Sequence, residues 1–179
     1  MKLHFVTSNE NKIKEAKKIL GIPIHVARLD LTEIQSLDPE EVVRFKVEAA
    51  YQQLKKPLIV EDVSFLVDAW SGFPGPFIKY LEKAGGNELF LRMMNGEKNR
   101  EASAIATIGL HTGDRILIFS GRVNGKIVES IRGVNGWGFD FIFQPEGEQR
   151  TFAEMTDGEK NKLSHRYLAL MKLKEYLQK

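Results

Sequence analysis

The sequence predicts an α/β fold, and three stretches carry that prediction. Near the start, apolar Leu3, Phe5 and Val6 stop at a polar loop, Thr7-Ser8-Asn9, after which Ile13, Ala16, Ile19 and Leu20 recur at helical spacing. In the middle, Leu58-Ile59-Val60 is a continuous apolar run, as expected of a central strand covered on both faces. From Glu101 to Ile131 the pattern turns to period two, which reads as an antiparallel meander. A chain of 179 residues suits one domain, with room for two lobes.

The composition narrows the classes. With 42% hydrophobic and 28% charged residues the chain reads as soluble and globular. The net charge of +2 is spread along the sequence, so it permits an anionic ligand without calling for nucleic acid. The chain has no cysteine, which excludes a disulfide framework, a thiolate nucleophile and a Cys-ligated metal. No stretch approaches the roughly 18 apolar residues of a membrane span, and the N-terminus lacks a cleavable apolar leader pattern. The expectation is a cytoplasmic protein with neither membrane nor nucleic-acid partners.

In chain order, the first strand feeds its helix through Thr7, Ser8 and Asn9. Such a junction leaves unpaired backbone N–H groups and the positive end of a helix dipole, which together make an anion site. Thr7 and Asn9 add side-chain donors, and Lys12 adds a full charge. A simple cap by Ser8 or Asn9 also explains the loop, so a phosphate needs independent support. Gly21-Ile22-Pro23 ends this helix. A second strand is expected over residues 24–31, with Ile24, Val26 and Leu29 inward. Asp38-Pro39-Glu40-Glu41 opens the next helix, Asp38 as N-cap and Glu41 placed as in a capping box. Its apolar face comprises Val42, Val43, Phe45, Val47, Ala49, Ala50 and Leu54. Lys46 falls among them, either snorkelling outward or reaching inward to an anion.

The Leu58–Val60 strand is expected to end at two acids, Glu61 and Asp62, where ligands of α/β sheets bind. Successive strand side chains point to opposite faces, so the two cannot both face one ligand unless the strand has turned. Acids beside a phosphate loop suggest Mg²⁺, which takes one or two carboxylates plus waters and phosphate oxygens. Phe65 to Trp70 reads as a further strand. The Gly72-Phe73-Pro74-Gly75-Pro76 cluster then delivers Lys79 and Tyr80 to a short helix ending at Gly85-Gly86. Asn87 caps another helix with Leu89, Phe90, Met93 and Met94 inward. The meander is expected as strands over residues 102–110, 116–123 and 126–131, with turns at Thr112-Gly113-Asp114 and Asn124-Gly125, the latter a strong hairpin signal. Trp137, Gly138, Phe139 and Asp140 lie on a glycine-rich loop, whose aromatics serve either as a lid on the core or as a stacking platform for a planar ligand. Lys160, Ser164, His165 and Arg166 concentrate donors before a closing helix with Leu170, Leu173 and Leu177 on one face.

Taken together, Thr7-x-Asn9-x-x-Lys12, Glu61-Asp62, Gly72-x-Pro74-Gly75, Gly136-Trp137-Gly138-Phe139-Asp140 and Glu159-Lys160-Asn161-x-x-Ser164-His165-Arg166 resemble the inosine/xanthosine triphosphate pyrophosphatase family. The five motifs occur in order and span essentially the whole chain. The resemblance implies a long mixed central sheet with flanking helices, two lobes with a substrate cleft between them, and a homodimer. It also implies Mg²⁺-dependent hydrolysis of non-standard purine nucleoside triphosphates (ITP, dITP, XTP) to the monophosphate and pyrophosphate.

By position, Thr7, Ser8, Asn9 and Lys12 match triphosphate ligands, and Lys46 and Lys79 match substrate-contacting lysines. Trp137, Gly138, Phe139, Asp140, Lys160, Ser164, His165 and Arg166 match the base-binding set. Asp62 matches the general base and a metal carboxylate. Glu33 matches the second metal carboxylate of the archaeal and eukaryotic pattern, ahead of Glu41, which matches the bacterial one, and Glu61. Val63-Ser64, Phe141 and Trp137 depart from the usual residues, and these touch loop shape and base fit. Two other readings share the phosphate features: a non-catalytic nucleotide or RNA-binding module, and a pyrophosphatase for modified pyrimidine nucleotides.

Overall fold

The computed structural model describes residues 2–179. Its centre is a seven-stranded mixed sheet. Strand β1 (Leu3–Val6) pairs in parallel with β2 (Ile24–Ala27) on one side and with the start of β3 (Leu58–Val67) on the other. Antiparallel pairing then carries the sheet through β5 (Glu101–His111), β6 (Ile116–Ile127) and β7 (Phe143–Pro145), while short β4 (Pro74–Gly75) pairs with the far end of β3. This is the mixed sheet with flanking helices that the resemblance implied.

Helix α1 (Glu10–Leu20) starts where the loop after β1 predicts. The Asn9 side chain accepts from the N–H groups of Asn11 and Lys12, an N-cap of the kind worth about 1 kcal/mol. Gly21 ends the helix in the left-handed region at φ 66°, where a side chain is disfavoured. Together with α5 (His165–Leu177), α1 covers one face of the sheet, enclosing Leu3, Phe5, Ile59, Ala106 and Ile108. Helix α2 (Pro39–Leu54) covers the other face through Val43, Val47 and Ala50, against Val6, Leu58 and Val60. A third cluster gathers around Phe65, Phe90, Phe143 and Phe152, where the far half of β3 meets α3 (Ile78–Met93). Residues 61–64 of β3 lie between the clusters.

Several local expectations are corrected. The second strand stops at Ala27, and Val26 is exposed because β2 is the edge of the sheet. Glu61 and Asp62 do not end their strand. β1 pairs only as far as Ile59, whereas β5 accompanies β3 to Val67, so the acids lie within β3 just past the end of β1. The run from Phe65 is the same strand continued, followed by a short 3-10 turn over Asp68–Trp70. Phe45 and Met93 are exposed rather than packed. The capping box at Glu41 is not formed; Asp38 accepts from Glu40 N–H, and Glu41 instead accepts from the Ser36 hydroxyl. Asn87 sits inside α3, where its amide donates to Gly138 O across the kink at Gly85-Gly86.

The hairpin expected at Asn124-Gly125 is absent, since β6 runs straight through the dipeptide. Its glycine serves a different need: a Cβ on Gly125 would lie 2.3 Å from Gln144 O of the adjoining β7 region. Likewise a Cβ on Gly121 would stand 2.2 Å from His165 O and 2.5 Å from Ala169 N, so glycine lets α5 lie directly on β6. Backbone atoms cannot swing aside as a side-chain tip can. Gly121→Ala is therefore expected to destabilise the fold by about 2–3 kcal/mol, the upper range of overpacking. Urea unfolding checks this; an unchanged midpoint would show that α5 can retreat freely.

Candidate active site

The site grows from the alternation of side chains along β3. Leu58 and Val60 face α2, so Asp62 does too; Ile59 faces α1 and α5, and Glu61 shares that direction. Each acid meets its own set of cations. On the α2 side, Lys46 stands on the helix face bordering Val43 and Ala50, and it reaches inward rather than snorkelling. Its Nζ lies 2.7 Å from Glu33 and 3.6 Å from Asp62. Lys79 also pairs with Glu33, bringing the start of α3 to the same point. Glu33, Val42, Asp62, Phe77 and Lys79 line a small cavity of about 20 Å³. Burial pushes the Asp62 carboxyl above its ordinary 3.8, and the neighbouring Lys46 and Lys12 offset only part of that. Its Oδ2 is buried with no hydrogen-bond partner among the described residues.

On the α1 and α5 side the carboxylate is fully engaged. Arg166 Nε donates to both Glu61 oxygens at 2.9 and 3.1 Å, and Lys12 Nζ lies 3.5 Å from Oε1 while donating to the Glu61 backbone carbonyl at 3.1 Å. Burial pushes Glu61 upward, but Arg166 and Lys12 outweigh it and hold the carboxyl below its ordinary 4.5. Burial likewise pulls Lys12 below its ordinary value, which Glu61 offsets in part. Arg166 is wholly buried at the second position of α5 and pairs through Nη1 with Glu15 at 2.7 Å. Burial opposes its charge, yet Glu61 and Glu15 keep it firmly protonated.

The glycine-rich loop closes the far side. Asp140 accepts from Trp137 N–H at 2.8 Å and from Lys160 Nζ at 2.5 Å. Burial raises the Asp140 carboxyl, with Lys160 opposing. Phe139 is buried and stacked on Phe65 at 4.4 Å, so its ring is a wall of the core. Trp137 is the half-exposed aromatic; its ring lies 5.0 Å from the Arg166 guanidinium and 5.8 Å from Lys160 Nζ. Trp137 Nε1 is a buried donor with no hydrogen-bond partner among the described residues, whereas Arg166 Nη2 makes ionic contact with Glu61 at 2.9 Å. Ser164 caps α5 by accepting from Tyr167 N–H. His165 is buried against Phe139 and Phe152, not a surface histidine.

The expected residues thus fall into three adjoining groups: the Thr7–Lys12 turn, the Glu33–Lys46–Asp62–Lys79 cluster, and the Lys160–Arg166 region with Trp137 and Asp140. In the first, Thr7 Oγ1 accepts from Asn9 N–H, while Ser8 is exposed. Glu41 lies outside the second, bonded to Ser36. Glu61 turns away from the Asp62 cluster toward Lys12 and Arg166. Glu15 escaped sequence reading, although its place three residues after Lys12 at the edge of the apolar stripe was an available signal. Ser64 is another buried group on β3, its hydroxyl without a partner. A larger groove of 570 Å³ runs past Ser103, Arg122 and Gln144 and contains none of these groups.

A mixed sheet with a partly unpartnered acid on its central strand, flanked by lysines and a helix N-terminus, has the chemistry of a site for phosphate-bearing ligands. Residues 3–176 match the model of the Ham1 family, and the chain belongs to that family. It is 42% identical to a dITP/XTP pyrophosphatase of Methanopyrus kandleri, over 98% of this chain and 96% of that one. It is 41% identical to the inosine triphosphate pyrophosphatase of Schizosaccharomyces pombe, over 97% and 94%. Among solved structures, the Staphylococcus aureus Ham1 protein superposes with a TM-score of 0.87 at 28% identity, covering 99% of this chain and 98% of that one.

His165 supplies a test of this packing. Burial first, then Arg166, Lys160 and Lys12, pull its pKa well below the ordinary 6.5. The unfolded chain therefore binds a proton that the folded one refuses, and stability is lost as pH falls below about 6.5 toward the depressed value. Denaturation across pH 5–8 is expected to show this loss, and His165→Asn to flatten that part of the profile. An identical slope in the variant would contradict a neutral buried histidine.

Proposed function

We propose that this protein hydrolyses non-standard purine nucleoside triphosphates, ITP, dITP and XTP, to the monophosphate and pyrophosphate. The observation that carries the reading is Asp62: a carboxylate with one buried oxygen that has no partner among the described residues, on the opposite face of β3 from the engaged Glu61, beside Lys46 and Glu33. The names of the curated relatives supply the reaction class. A non-catalytic binder has no use for such acids beside a phosphate, which they repel.

The donor set fits Mg²⁺. Glu33 and Asp62 provide two carboxylates, one with a free buried oxygen, and hard cations of this size complete their shell with water and phosphate oxygens. When bound, the ion supplies charge neutralisation on the triphosphate. The chain's own residues do the remainder. Backbone N–H groups at the start of α1 and the Lys12 ammonium hold the phosphate tail. Lys46 and Lys79 exchange their Glu33 contacts for phosphate oxygens. Asp62, its basicity increased by burial, takes the proton from the water that attacks the α-phosphorus.

At the base end, Trp137 Nε1 is a buried donor with no acceptor among the described residues. A 6-oxopurine offers it an acceptor, whereas the 6-amino group of adenine presents another donor and leaves it unpaired. The proposal includes a homodimer, which the family resemblance implies, and a cytoplasmic location, which is the expectation from the sequence.

The experiment is a panel of ITP, XTP, GTP and ATP with Mg²⁺ in ¹⁸O-labelled water. The expected result is release of pyrophosphate from ITP and XTP at least about a hundredfold faster than from ATP, with the label in the monophosphate. Orthophosphate as first product, or label in pyrophosphate, would refute the bond assignment.

A further inference from the structure

One edge of β3 is open at its middle. β1 pairs with that edge only as far as Ile59, and β4 takes it up again at Phe65, so residues 60–64 have no strand beside them there. The Thr7–Lys12 turn borders this gap, where Lys12 Nζ donates to the Glu61 carbonyl. On the other edge, pairing with β5 is unbroken from Leu58 to Val67, so side chains alternate without a bulge and Ser64 leaves the strand on the Asp62 face. Val63 turns the other way, onto the cluster around Phe65. On the Asp62 face, β3 and β5 carry three hydroxyls, and two of them are engaged. Thr107, directly opposite Asp62, accepts from Ser120 at 3.5 Å, while Ser103 accepts from Arg122 at 2.8 Å and donates to Asn124 at 3.0 Å. Ser64 is 1% exposed, and its hydroxyl, like Asp62 Oδ2, has no hydrogen-bond partner among the described residues. Buried polar atoms without partners are rare, and two of them on one strand face point to a partner held in common. Residues two apart on a strand are roughly 6.7 Å apart, and two hydrogen bonds through one water span about 5.5 Å. A single water therefore matches the pair.

We propose that Ser64 is a catalytic residue that seats the attacking water together with Asp62: the water donates one hydrogen bond to Asp62 Oδ2 and the other to Ser64 Oγ. This rests on the pyrophosphatase reading and deepens it by giving the nucleophile a second anchor. Two acceptors occupy both protons of the water, which leaves its lone pairs for an α-phosphorus presented through the gap beside β3. A neutral hydroxyl suits the second position, because it holds the water as an acceptor without competing with the carboxylate for the proton. In the step itself the water oxygen bonds to the α-phosphorus as the bond to the pyrophosphate oxygen breaks. One proton passes to Asp62, the other stays on the new phosphate oxygen, and pyrophosphate leaves with the electron pair of the broken bond.

The test combines crystal structures of the nucleotide-free protein, steady-state kinetics on ITP with Mg²⁺, and calorimetry with α,β-methylene inosine triphosphate, for wild type, Ser64→Ala and Ser64→Thr. The wild-type structure is expected to hold a water within about 3.2 Å of both Asp62 Oδ2 and Ser64 Oγ, and Ser64→Ala to lose it. Ser64→Ala is expected to lower kcat about tenfold, the scale of one hydrogen bond, with KM and analogue affinity within about twofold of wild type. Ser64→Thr, which keeps the hydroxyl, is expected to recover most of the turnover. A wild-type structure without that water would overturn the proposal, as would a kcat for Ser64→Ala within about twofold of wild type. So would a parallel loss of kcat and analogue affinity, which marks a general structural role. The crystal structures need no turnover, so a missing water in an active enzyme overturns this proposal alone. A protein that releases pyrophosphate from none of the triphosphates overturns the pyrophosphatase reading and this proposal with it.

Discussion

The pleat of β3 is the constraint on which the site depends. Two adjacent carboxylates, Glu61 and Asp62, leave the strand in opposite directions, and each enters a different layer of the molecule. Glu61 enters the layer of α1 and α5, where Arg166 and Lys12 already stand. Asp62 enters the layer of α2, where Lys46 and Glu33 meet it. A register slip of one residue would exchange them, placing the engaged acid where an available one is needed. Long pairing with β5, unbroken from Leu58 to Val67, fixes that register.

Burial gives the two acids their different characters. Both are withdrawn from water, which alone raises a carboxyl's pKa. Around Glu61 the bidentate contact of Arg166 and the nearby Lys12 reverse that effect, so the acid stays charged and ties three elements together. A buried pair of this kind is costly to break, since the surviving partner is left as an uncompensated charge, at roughly 3–5 kcal/mol. Around Asp62 the compensation is incomplete and one oxygen remains unpartnered. An acid in that state is poorly used by the fold and well suited to accept a proton. The structural role and the chemical one are thus divided between neighbours.

Much of this was legible in the residues. Asn9, Lys12 and Gly21 mark the first helix through capping and spacing alone, and the opposite facing of Glu61 and Asp62 follows from strand geometry. Tertiary contacts hid the rest. Asn124-Gly125 has the chemistry of a tight turn, but Gly125 is needed for the close approach of β7 and the strand continues. His165 and Arg166 look like surface residues at a helix start; Arg166 is buried against Glu15 and Glu61, and His165 against Phe139 and Phe152, none of them on the same helix. Phe139 has the composition of a stacking platform, yet Phe65 claims its face. Local patterns cannot report which partner arrives from elsewhere in the chain.

The division of labour along β3 is tested most directly by pairing thermal unfolding with turnover in Glu61→Gln and Asp62→Asn. Glu61→Gln is expected to lower the melting temperature by about 10 °C, from a loss of several kcal/mol in a domain of this size. Asp62→Asn is expected to melt at or above the wild-type temperature, because a charge that burial disfavours has been removed, and to lose turnover. The contrary result, a destabilised Asp62→Asn that still turns over beside an undisturbed Glu61→Gln, would contradict the account.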